Sequence, residues 1–184
     1  MIRPLAASLC TLLLTGLVAG CGGNGNGGGA DGGSGKSADW AADACKTFPA
    51  DAAGKAAGFA VAKAETPGQT GNEQTLVSTC SYSSADGKSS FTVLLRQDRS
   101  DGSTIDAQIA GLKSQPDATG PSEDVAMPKG KAIWAPRLNT LSYVPQDGRM
   151  IVVTPPGALI FGANPAPAGD LKSKAVAIAM AIEG

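Results

Sequence analysis

The sequence predicts a single α+β domain, a mostly antiparallel sheet flanked by helices, over Ala38–Gly184. Three observations carry that prediction. Two alternating apolar runs, QTLVSTCSY and SSFTVLLRQ, flank SSADGK, where Asp86-Gly87 supplies a tight hairpin turn. Three more short runs of strand character, KAIWA, LNTLSYV and RMIVVT, follow in the second half. Apolar residues at helical spacing open, interrupt and close the domain. The order helix, strands, helix, strands, helix favours α+β over alternating parallel units.

Element by element, SADWAADACKTF places Trp40, Ala44 and Phe48 at i, i+4 and i+8. That spacing predicts a short helix capped by Ser37 or Asp39. PADAAGKAAG reads as a second short helix, capped by Asp51 and stopped at Gly58. FAVAKAE alternates Phe59, Val61 and Lys63, predicting a strand, and TPGQTGNE reads as a polar loop. In the hairpin, Phe91, Val93 and Leu95 face one side while Thr92, Leu94 and Arg96 face the other. Leu76, Cys80 and Tyr82 share parity, which turns Cys80 inward toward Cys45 on the first helix. STIDAQIAGLK predicts a helix, with Ser103 and Asp106 in capping-box-like spacing and Ile105, Ile109 and Leu112 as its buried stripe. QPDATGPSED reads as loop, and the last two strands join at PQDG. PPGALIFGANPAPAG is a connection whose apolar centre is suited to a short edge strand. In DLKSKAVAIAMAIEG, Leu171, Ala175, Ile178 and Ile182 recur at i, i+4, i+7 and i+11, predicting a terminal helix docked on the sheet.

The chain opens MIRPLAASLCTLLLTGLVAGC. Arg3 precedes an apolar run from Leu5 to Val18, then small residues up to Cys21, the layout of a secretory signal. The run is shorter than the roughly 20 residues a membrane span needs. VAGC resembles the lipobox of bacterial lipoproteins, with Val18 where Leu is more usual. The resemblance implies that residues 1–20 are removed and that Cys21 is lipidated as the mature N-terminus. Buried acyl chains contribute about 0.8 kcal/mol per CH₂, so several chains on one cysteine hold a protein to its membrane. In the lipoprotein family, Asp after the anchor commonly marks inner-membrane retention. Gly22 stands there instead, which implies the periplasmic face of the outer membrane where two membranes exist. With one membrane, the expected location is the outer face of the cell membrane.

Residues 21–37 contain ADGGSGKS, close in pattern to a phosphate-binding loop. Such a loop works because a strand precedes it and a helix follows, so that backbone N–H groups converge on phosphate. Here an anchor cysteine and Gly/Asn sequence precede it. Nine of the 25 glycines fall between Gly22 and Gly35. The stretch therefore reads as a flexible tether reaching roughly 20–25 Å.

Removing the leader takes one of the 15 basic residues and none of the 16 acidic ones. The near-neutral remainder has no basic footprint for nucleic acid, and the domain is expected to be a monomer. With two Trp, two Tyr and four Phe, its core should be aliphatic and thin. Of the four cysteines, Cys10 leaves with the leader and Cys21 carries lipid. Cys45 and Cys80 remain as a pair, and in an oxidising compartment a disulfide worth roughly 4 kcal/mol is expected. Two separate thiols or a metal pair are the alternatives, the second disfavoured because the sequence has no histidine.

The absence of histidine also excludes Ser-His-Asp and Cys-His nucleophile systems. Ser114 and Ser173 each adjoin lysines without the context of a Ser-Lys dyad. Asp98 and Asp101 partly match a calcium loop but lack its bidentate Glu, and read as turn and capping residues. Glu123 and Asp124 are adjacent, so on a strand they point to opposite faces and cannot act as one carboxylate pair. They read as solvated. In KAIWAPRLNTLSYV, Trp134, Arg137 and Tyr143 are residue types enriched at binding hot spots, with a core role for Trp134 as the competing reading.

Element order and the two cysteines resemble the PsbP-like fold of secreted bacterial lipoproteins. That resemblance implies a noncatalytic binding or accessory domain. The expectation is thus a membrane-anchored module needing no cofactor or metal, whose partner is an envelope protein or small ligand. The alternative is an envelope hydrolase using two carboxylates.

Overall fold

The chain divides into two units, Met1–Gly33 and Ser34–Gly184. The structure, a computed structural model, describes residues 40–115, 120–158 and 168–184, all in the second unit. The fold is α+β: seven antiparallel strands in the order β1-β2-β3-β7-β6-β5-β4, with four helices among the described residues. The elements run α1 (Ala44–Thr47), α2 (Ala50–Ala57), β1 (Lys63–Gly71), β2 (Thr75–Ser83), β3 (Ser90–Asp98) and α3 (Ile105–Lys113). They continue with β4 (Glu123–Val125), β5 (Lys131–Ala135), β6 (Thr140–Gln146), β7 (Arg149–Thr154) and α4 (Ala168–Glu183).

The main core lies on one face of the sheet. Tyr82, Phe91, Trp134, Leu141 and Ile151 are buried there beneath Phe48, Ala53, Leu171, Ala175 and Ile178 of the α1–α2 region and α4. The alternation read from the hairpin holds, with Phe91, Val93 and Leu95 fully buried and Thr92, Leu94 and Arg96 half-buried opposite them. Tyr82 stacks on Phe91 at 4.6 Å between ring centroids, and its hydroxyl donates to the Phe48 carbonyl at 2.6 Å. Cys45 and Cys80 are disulfide-bonded with Cα atoms 5.1 Å apart, joining the first helix to the second strand. Closing that loop restricts the unfolded chain.

Several local expectations are corrected. The first helix is one turn, Ala44–Thr47, capped by the Asp43 carboxylate, which accepts from the N–H groups of Cys45 and Lys46. Ser37 and Asp39 lie outside the described residues. Pro49, not Asp51, occupies the N-cap of α2, and Asp51 sits in its first turn, where a carboxylate complements the helix dipole. Gly58 stops this helix in the left-handed conformation, as the sequence indicates. The polar run TPGQTG is strand rather than loop. It belongs to β1, an edge strand exposed at every position, so no alternation marks it. Pro67 falls at the register shift between Glu65 and Gly68, where the ladder is interrupted. The segment read as loop before KAIWA contains the short strand β4. The proposed edge strand in ALIFGANP lies largely outside the described residues.

Helix α3 packs on the opposite face. Ile109, with the partly buried Ile105 and Leu112, meets Ile133, Val144 and Met150 in a second, smaller cluster. Its cap is Thr104, whose hydroxyl accepts from the Ala107 N–H, in place of Ser103. Ser103 instead offers its carbonyl to the Gly148 N–H at 2.7 Å. No helix among the described residues is long and apolar enough to cross a membrane.

Candidate functional site

A cleft of about 340 Å³ opens between α3 and the α3-side face of the sheet. Arg96, Asp98 and Met150 form its sheet side, Ala107, Gln108, Gly111 and Leu112 its helix side. The β6–β7 turn sets the spacing. Its Asp147 carboxylate accepts from the Ile105 N–H at 2.8 Å, its Gly148 N–H reaches the Ser103 carbonyl, and its Gly148 carbonyl accepts from the Asp98 N–H at 2.7 Å. A side chain at Gly148 would come within 2.4 Å of the Asp98 carbonyl, and its φ of 72° lies in the left-handed region. Glycine here lets the turn press against β3 while holding the start of α3.

Arg96 lies on β3 between Val77 of β2 and Met150 of β7 in the strand register. Its Nε is buried without a hydrogen-bond partner among the described residues. Its Nη2 reaches Asp98 at 3.5 Å, longer than the roughly 2.7–2.9 Å of a strong charge-assisted bond. Asp98 is satisfied elsewhere: it accepts from the Ser100 hydroxyl at 2.6 Å and the Ser100 N–H at 2.9 Å. The Ser100 hydroxyl is the main reason its carboxyl is held below the usual range, with the Arg96 charge a lesser cause. The two side chains also differ in access, Arg96 being 42% exposed and Asp98 14%. Asp98 thus closes the Asp98–Gly102 turn, and the guanidinium is the accessible charge of the cleft.

Gly111 completes the helix wall. Glycine inside a helix costs about 1 kcal/mol relative to alanine, and a methyl group at this position would touch none of the described residues within 4 Å. Packing does not demand the glycine. Its effect is a recessed wall.

The residues singled out from the sequence fall elsewhere. Trp134 and Tyr143 do share a face, because Trp134 pairs with Leu141 and Ala132 with Tyr143 across β5 and β6. That face is the main core: Trp134 is 1% exposed and Tyr143 2%. Arg137 is exposed on the intervening turn, so the three do not form one surface. Burial also raises the Tyr143 phenol, aided by the charge of Glu183. Glu123 and Asp124 do point to opposite faces, but they are ion-paired rather than merely solvated. Glu123 bonds Lys172 of α4, and Asp124 bonds Lys113 of α3 at 2.6 Å. Among the described residues no group of three or more Cys, Asp or Glu is placed to hold a metal ion. Cys21 lies outside the described residues.

Sequence parity puts Arg96 on the face opposite the core, but nothing in the sequence brings α3 beside it. No protein-family model matches the chain, and neither a curated protein nor a solved structure matches it.

Proposed function

We propose that this chain is a lipid-anchored envelope protein whose domain binds a partner or small ligand without transforming it. The cleft around Arg96 carries the reading: an accessible cation beside a recessed helix wall is equipment for recognition. The signal-like leader, the VAGC sequence and the glycine-rich run support the tethered location. The absence of histidine removes the commonest general base. The likeness to PsbP-like lipoproteins, in element order and cysteines, points the same way. The domain acts as a monomer, without nucleic acid or cofactor. It works at the periplasmic face of an outer membrane or, with a single membrane, at the outer face of the cell membrane.

A carboxylate-based hydrolase has less support. Asp98 is committed to its turn, and Glu123 and Asp124 bond lysines on opposite faces.

Crosslinking in the native envelope, combined with intact-mass measurement of the mature N-terminus, tests the proposal. An acylated Cys21 and a specific captured partner or ligand are expected. An unmodified Cys21, or cleavage elsewhere, overturns the location, and a crosslinked protein that captures nothing overturns the binding role.

A further inference from the structure

Resting on the reading of this domain as a binding module, we propose that the α3 cleft takes a small organic monoanion: a carboxylate bearing a short apolar chain. The carboxylate is assigned to Arg96. A guanidinium offers five N–H donors in a planar fork that matches the two oxygens of a carboxylate. Among the described residues the one ion-pair contact is the 3.5 Å approach of Nη2 to Asp98, and Nε is buried with no hydrogen-bond partner.

The single charge follows from Asp98. Held ionised by Ser100, it leaves Arg96 and Asp98 formally neutral together. A monoanion bound to Arg96 takes the site to a net charge of −1 and a dianion such as a phosphate monoester to −2, so the second carboxylate disfavours the dianion more strongly. The apolar part of the ligand follows from the walls. Met150, Ala107 and Leu112 line the same cleft, and the bare Gly111 gives the chain room against the helix. At about 340 Å³ the cleft sits at the small end of ligand pockets and suits a fragment-sized molecule rather than a polymer.

Isothermal titration of the full mature protein in detergent micelles with sodium hexanoate, corrected by a micelle-only blank, is the test. Saturable one-to-one binding is expected. Arg96→Gln should weaken it about ten- to a hundredfold, the range for losing hydrogen bonds to a charged group. Gly111→Leu, which fills the cleft from the helix side, should abolish it while thermal melts show the fold intact. Hexan-1-ol and hexyl phosphate should each bind at least about tenfold more weakly than hexanoate, a difference of about 1.4 kcal/mol. Failure to saturate, unchanged affinity in Arg96→Gln, or hexan-1-ol binding as tightly as hexanoate overturns the proposal. Envelope crosslinking run in parallel separates the two levels. If Arg96→Gln captures the same partner as the parent while neither binds hexanoate, the carboxylate assignment falls and the binding role stands. If nothing is captured and Cys21 is unmodified, the underlying reading falls.

Discussion

On one face of the sheet, Tyr82, Phe91, Trp134, Leu141 and Ile151 lie under α1, α2 and α4, each at most 1% exposed. On the other, Val77, Thr79, Thr92, Leu94 and Val152 are half-buried, and α3 is the helix among the described residues that packs there. The contrast separates stability from recognition. The closed face holds every aromatic pair of the described domain and the disulfide. The open face is built from residues that suit a pleated surface half in water, including Thr79, Thr92 and Thr154. An arginine on the closed face would bear the desolvation of a buried charge. On the open face Arg96 keeps part of its side chain in water and can be used.

The comparison is broken most directly by truncating one large side chain on each face. Trp134→Ala should destabilise the domain by about 3–5 kcal/mol, the usual cost of emptying a filled core site. Leu94→Ala on the open face should cost about 1 kcal/mol or less. Urea melts of both variants measure the difference, and equal losses would show that the two faces contribute alike.

A smaller effect separates the faces by pH. Tyr82→Phe removes the hydroxyl that donates to Phe48 and should cost about 1–2 kcal/mol near neutrality. Burial, reinforced by Asp43, raises the Tyr82 phenol above its ordinary range. An unfolded tyrosine ionises near about pH 10 while the folded one stays protonated, so native stability should fall as pH rises beyond that point. Tyr82→Phe should flatten that alkaline decline. An unchanged slope in the variant's denaturation curves would exclude Tyr82 as its source.

The smallest expected change is a gain. Gly111→Ala, at a position where the added methyl meets none of the described residues, should stabilise the domain by about 0.5–1 kcal/mol. Thermal melts that show a loss would mean that the helix wall is packed more tightly than the geometry indicates.

Much of this architecture is legible in the residues. The β2–β3 hairpin, the terminal helix and the inward turn of Cys80 all follow from period-2 or period-3.6 burial, which a sequence displays directly. Most of the edge strand β1, from Thr66 to Gly71, was not legible, because an exposed strand owes its place to pairing with Thr75–Ser83 and needs no apolar face of its own. The caps at Asp43 and Thr104 were missed for a related reason: several polar residues precede each helix, and backbone geometry selects among them. Trp134 and Tyr143 were ambiguous because aromatic residues serve cores and binding surfaces alike. The cross-strand register places both inside.

By itself the sequence determined the α+β class, the parity of the central strands and the pairing expected of the two domain cysteines. These follow from local periodicity and from which residues prefer to leave water. Tertiary structure alone decided the cleft. Arg96 and Gly111 belong to different elements, and the β6–β7 turn, held to Ser103, Ile105 and Asp98, brings α3 to the sheet. No periodicity encodes that meeting, because it depends on where a helix lands rather than on which of its sides is apolar.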